Sequence, residues 1–182
     1  MKKHYFSRNM FYMIVLFLPF VGCNDEEDKS TCVDDNPDYN PIACPDSGEC
    51  ITSVLESSTI VINDLQDVKI GRIADGNKTV FKYKFNTPED ILVPDANYAE
   101  VILFEIESGT GDFFIEKDQL SNHNVLFGKL CLCTGQGYHR VESGCIKGNK
   151  IDETRWEIDI NISLTIDGEE YKRMRNGIYA PL

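Results

Sequence analysis

Seven cysteines carry most of the chemistry open to this sequence, and their spacing sorts them into three sets. Cys23 stands alone behind an apolar leader. Cys32, Cys44 and Cys50 come early, and Cys131, Cys133 and Cys145 share one later segment. With Cys23 set apart, the other six are an even number, which in an exported chain points to disulfides. Spacing alone does not choose among the pairings. On a strand Cys131 and Cys133 share a face and both reach a partner segment, whereas a bridge between the two is strained. The expectation is therefore at least one long-range bridge from the amino-terminal segment to 131–145, worth roughly 3–5 kcal/mol through closure of a long loop. Zinc is the competing chemistry, with Cys131, Cys133, His139 and Cys145 as a Cys3His set. The Cys-x-Cys spacing matches the usual ligand gaps poorly, and an oxidising compartment favours disulfides. No metal and no cofactor are expected.

The most site-like stretch is Cys44-Pro45-Asp46-Ser47-Gly48-Glu49-Cys50. If its two cysteines are bridged it is a small presented turn, and if they bond elsewhere it is still held at both ends. A segment fixed in this way loses little entropy when it docks into a protein cleft. The same cysteines could equally staple an irregular amino-terminal segment. Catalytic groups are scarce. Beyond the leader there are two histidines, His123 and His139, both near turns. The sequence has no G-x-S-x-G, phosphate loop or H-E-x-x-H. Carboxylates are abundant, which leaves a glycosidase-like pair open but reads first as solvated surface. A non-enzyme is expected.

Residues 1–22 read as a targeting leader. Lys2, Lys3 and Arg8 are followed by an apolar run from Met10 to Val21, too short for a bilayer span of roughly 20 residues. An ordinary secretory leader would have this form. Phe20-Val21-Gly22-Cys23 resembles the lipobox of bacterial lipoproteins, with Phe20 where that family's consensus has leucine. The resemblance implies cleavage before Cys23, a diacylglycerol thioether on its sulfur and acylation of the new amine by a chain such as palmitate. Several acyl chains make an anchor durable, at about 0.8 kcal/mol per buried methylene. Asp25-Glu26-Glu27-Asp28 resembles the acidic signal that sends Bacteroidetes lipoproteins to the outer leaflet. It implies an outer-membrane protein exposed at the cell surface. The same composition also gives a solvated tether.

Removing the leader takes away three of the 18 basic residues and none of the 30 acidic ones, so 160 residues remain with a net charge of −15. That length supports one domain with a core. Nucleic acid is not an expected partner, because phosphate contact needs a basic patch.

Turn formers dominate to about residue 50, and strand patterns take over from Ser58. Thr59–Ile62, Val68–Ile73, Thr79–Phe85, Tyr98–Glu107, Asp112–Glu116, Val125–Cys133 and Glu170–Ile178 all read as strands. Trp156–Ile166 alternates without a break, so one face is core, and Asp167-Gly168 is a hairpin turn. Phe81, Phe85, Phe104 and Trp156 are expected in the core. The fold class is all-β, a small antiparallel barrel of meander or oligonucleotide-binding type with a disulfide-fixed irregular amino-terminal segment. The expected divisions are a leader at 1–22, a lipidated acidic tether at 23–31, a cysteine-fixed segment at 32–57 and a barrel at 58–182.

A surface lipoprotein of this length with a small β-domain is similar in design to the potempins, protease-inhibitor lipoproteins of a periodontal Bacteroidetes species. That resemblance implies inhibition of a secreted protease. The alternative is a ligand-binding component of a surface nutrient-uptake assembly. An exposed aromatic stripe would favour glycan binding, but Tyr39 and Tyr138 are the only aromatics expected in loop-like surroundings, which gives that reading little support.

Overall fold

The computed structural model describes residues 43–65, 68–88 and 97–182. The leader, Cys23, the acidic run, Cys32 and Tyr39 lie outside them. Ten strands account for about two thirds of the described residues: β1 (Glu49–Leu65), β2 (Val68–Asp75), β3 (Lys78–Asn86), β4 (Ala99–Glu107), β5 (Phe113–Glu116), β6 (Leu126–Leu130), β7 (Gly137–Arg140), β8 (Ser143–Lys150), β9 (Trp156–Ile166) and β10 (Glu169–Tyr179). One four-residue turn of helix, α1 (Gln119–Asn122), plugs Leu120 into the core.

The strands form two antiparallel sheets. Six lie in the order β2-β1-β3-β4-β6-β7 and four in the order β10-β9-β8-β5. The all-β antiparallel architecture expected from the sequence is present, with the six-stranded sheet curled into a half-barrel. Its two edges, β2 and β7, approach each other without a hydrogen-bonded ladder. Tyr138 on β7 fills the gap. A β-carbon on Gly128 would sit 2.8 Å from its ring and one on Gly71 of β2 3.0 Å. These two positions need hydrogen in place of a side chain for the edges to close. Tyr138 is thus a half-buried strand residue, not the loop aromatic expected, because Gly137 to Arg140 pairs with β6.

Both faces of the half-barrel are buried, which explains the doubly apolar centre of β4. Val101 and Leu103 face the interior with Ile60, Val80 and Leu126. Ile102 and Phe104 face the second sheet, where they join Phe81, Tyr83, Phe127, Trp156, Ile158 and Ile160. Phe81 stacks on Phe104 with ring centroids 4.9 Å apart and meets Trp156 edge-on. The even residues of β9 from Trp156 to Ile162 are all buried, so the unbroken alternation has one cause, a single core-facing row. Asp167 and Gly168 both take positive φ, as a two-residue hairpin turn requires.

The expected start of the domain at 58 needs correction. Residues 49–57 are the first half of β1, paired with β3, and β2 pairs with the second half. Thr52, Ser53, Glu56 and Ser57 break the apolar alternation there, and pairing with β3 supplies what the pattern lacks. A bulge between Leu55 and Ser58 separates the halves. The first half also meets the chain's end, where the Val54 N–H donates to the Ala180 carbonyl and the Thr52 hydroxyl to that of Ile178. β7 and β8 were not expected as strands.

Candidate functional site

Cys44 and Cys50 are bridged, with α-carbons 5.7 Å apart. Cys50 sits in β1 opposite Phe85 of β3, so one end of the closed loop is part of the sheet. Inside it the Gly48 N–H donates to the Pro45 carbonyl, a tight turn with Asp46 and Ser47 at its tip. Gly48 lies against β3 so closely that a β-carbon there would be 2.2 Å from the Asn86 carbonyl oxygen and 2.4 Å from the Phe85 ring. Cys44 and Cys50 pack against the main core, while Asp46, Ser47 and Glu49 are exposed. The seven residues singled out by spacing therefore form one object, a disulfide-closed turn with an anchored base and an acidic, solvated tip.

Beneath it runs a polar network between the sheets. The Tyr83 hydroxyl is 3.1 Å from the Cys50 sulfur and accepts a hydrogen bond from Arg175 Nε at 3.0 Å. Glu100, almost wholly buried on β4, is gripped by the Arg173 guanidinium through both carboxylate oxygens and receives the Tyr98 hydroxyl at 2.6 Å. Burial alone would raise the Glu100 carboxyl, but the hydrogen bonds from Arg173 and Tyr98 and the charges of Arg173 and Arg175 hold it below its ordinary value. Burial and the Glu100 carboxylate push Tyr98 up to about 12. The arrangement fixes the edge strand β10 against the half-barrel and leaves no free acid or base.

Glu105 does the same at the other end of β4. Its carboxylate accepts from the Ile60 N–H at 2.8 Å, the Thr59 hydroxyl at 3.0 Å, Lys78 at 2.9 Å and Asn124 at 2.7 Å. Burial opposes ionisation, yet these four donors hold its carboxyl down. Both buried glutamates are thus charges held by donors from several strands.

The histidines are used structurally as well. His123 Nδ1 lies 2.8 Å from the Glu105 carbonyl and His139 Nε2 2.9 Å from that of Gly135. The zinc alternative loses its thiols, since Cys131 is bridged to Cys133 and Cys145 is also disulfide-bonded. The expectation that Cys131 and Cys133 reach out to a partner segment is overturned. β6 ends at Leu130, and the chain bends through 131–134 instead of extending. The bend brings the two α-carbons to 5.3 Å, inside the range a disulfide spans. Neither sulfur of this pair is left for a long-range bridge. Cys145, fully buried in β8, is disulfide-bonded too and offers no free thiol.

One feature was invisible to sequence reasoning. A cleft of about 490 Å³ opens between β2, β7 and the β9–β10 hairpin, lined by Lys69, Gln136, His139, Arg140, Glu142 and Thr165 among others. Its walls come from five separate strands, so no local motif announces it. No protein-family model matches the chain, and no curated protein or solved structure matches it.

Proposed function

We propose that this chain is a lipid-anchored cell-surface protein that inhibits a secreted protease by inserting the turn at 44–50 into its cleft. The observation that carries the reading is the disulfide-closed turn itself, with its base packed on the core and its tip in solvent. A segment inhibits when it fills a protease cleft and cannot relax after a nick. Here Cys50 is a sheet residue, Cys44 is bonded to it, and Pro45 and Gly48 close the turn, so a cut at the tip leaves both ends held. Each residue ordered beforehand saves about 1–2 kcal/mol of backbone entropy on docking. The carboxylates of Asp46 and Glu49 suit the open coordination position of a catalytic zinc, which favours a metalloprotease target. Anchoring at Cys23 and export through Asp25–Asp28 belong to the same proposal and rest on the lipobox and acidic run.

The test is titration of a panel of secreted metallo-, serine and cysteine proteases with the purified chain. The proposal expects stoichiometric inhibition of at least one. A panel left untouched at micromolar concentration rejects it. The nutrient-binding alternative has one observation in its favour, the polar cleft with Lys69 and Arg140 in its walls. It predicts saturable binding of a small polar ligand that Lys69→Ala with Arg140→Ala abolishes.

A further inference from the structure

We propose that Cys131 and Cys133 form a thiol–disulfide exchange site that oxidises dithiols on unfolded or partly folded polypeptides. The bridge is a poor staple, because it closes a loop holding Leu132 alone and constrains almost none of the unfolded chain. It also differs from the other disulfide-bonded cysteines of the described residues in its surroundings. Cys44 and Cys50 pack against the core and Cys145 is fully buried, whereas Cys133 is exposed and Leu132 between the pair is 80% exposed. Exposed disulfides closing very short loops are the labile ones in exchange chemistry.

The surroundings supply what such a site needs. Cys131 and Cys133 line a cleft of about 470 Å³ together with Tyr98, Lys129 and Tyr171. The Lys129 ammonium is fixed at the base of the bend by donating to the Thr134 carbonyl at 3.0 Å and the Tyr171 hydroxyl at 2.8 Å. A fixed cation beside a cysteine favours its thiolate and so makes it a better leaving group. Leu132 and the two tyrosines give the cleft an apolar rim, which fits side chains flanking a cysteine in an unfolded chain better than it fits a small hydrophilic thiol.

The exchange runs in two steps. A substrate thiolate attacks the exposed Cys133 sulfur. The Cys131–Cys133 bond breaks, and its electron pair leaves on Cys131, two residues from Lys129. The substrate's second thiol, once deprotonated, attacks its own sulfur in the mixed disulfide and expels Cys133 as thiolate. The substrate has lost two electrons and two protons and holds a new disulfide, and the cysteines at 131 and 133 are left as two thiols.

The experiment equilibrates the oxidised full chain in glutathione buffers of graded composition, quenches with an alkylating agent and maps each cysteine by mass spectrometry. Cys131 and Cys133 should become alkylated at a ratio of reduced to oxidised glutathione at least tenfold lower than Cys44 and Cys50 require. In a second arm the oxidised chain is mixed with a reduced dithiol peptide bearing apolar residues beside its cysteines. Peptide thiols should disappear at least tenfold faster than with a Cys131→Ser, Cys133→Ser variant of unchanged circular dichroism. If both pairs reduce together, the proposal is overturned on the parent chain alone, whatever the variant does. Equal rates with parent and variant, or glutathione reacting as fast as the peptide, overturn it as well.

Discussion

Replacing Glu105 with glutamine keeps the size of the side chain and removes its charge, which makes the cost of the change calculable from its four bonds. One oxygen takes the Ile60 N–H and the Thr59 hydroxyl, the other Lys78 and Asn124. A glutamine has one carbonyl oxygen. Turned toward Ile60 and Thr59, it presents its NH2 to two further donors. Asn124 can rotate its amide to accept, but Lys78 cannot. A charge-assisted bond is worth about 1.5–3 kcal/mol, and Lys78 is a quarter exposed, so solvent screening takes part of that away. The expected loss is about 2 kcal/mol, or roughly 8 °C in Tm for a domain of this size. Alanine should cost more, about 3–5 kcal/mol, since it also leaves the buried Ile60 N–H without a partner. The charge has a pH signature too. The folded carboxyl titrates below its ordinary value of 4.5, so its contribution is complete above that pH and is lost as pH falls through the folded value. The glutamine variant should therefore show a flatter loss of stability below pH 4.5. Urea unfolding followed by circular dichroism at pH 7 and across the acid range measures both effects. A glutamine variant within about 0.5 kcal/mol of the parent would refute the view that Glu105 holds the β1 bulge to β4.

Three other substitutions probe the frame. Ile160→Asp puts a charge at a fully buried position of β9 and should abolish the folded baseline or cost at least about 4 kcal/mol, as read by thermal unfolding. Arg173→Met strands the Glu100 carboxylate and should cost about 3–5 kcal/mol at pH 7, with much of the loss recovered by adding Glu100→Leu. Gly48→Ala cannot keep its contact with Asn86, so the turn must lift. Hydrogen exchange should rise at residues 45–50 while the β9–β10 hairpin stays protected.

The sequence was most legible where burial has one simple period. Trp156–Ile166 could be read to the residue because one row of β9 faces the core and the other faces out. β4 was legible for the opposite reason, since apolar residues on both faces fit only a central strand. The first half of β1 was not legible. Its buried positions include Ser53, and its partner strand lies some 30 residues on, so nothing local marks it. Likewise β7 has only four residues, and both β7 and β8 contain glycine and are defined by what they pair with. At the candidate site, spacing picked out the 44–50 turn because two cysteines around Pro, Asp, Ser and Gly have few other uses. At 131 and 133 spacing is misleading, because an apolar strand pattern continues past Leu130 while the chain itself bends there. The polar networks of Glu100 and Glu105 could not be read, because their partners come from strands far apart in the chain.

The proposal that the bridged turn is an inhibitory element rests on its rigidity, and that is what the decisive measurement must remove. A protease stoichiometrically inhibited by the parent chain would be titrated with a Cys44→Ser, Cys50→Ser variant, with circular dichroism recorded in parallel. The turn is anchored by Cys50 within β1, so the variant should keep its β signal. Its inhibition constant should rise by at least two orders of magnitude, roughly 3 kcal/mol, as the ordering of the turn is moved from folding to binding. Undiminished inhibition by a variant with intact β structure would contradict the account and place the inhibitory surface elsewhere on the domain.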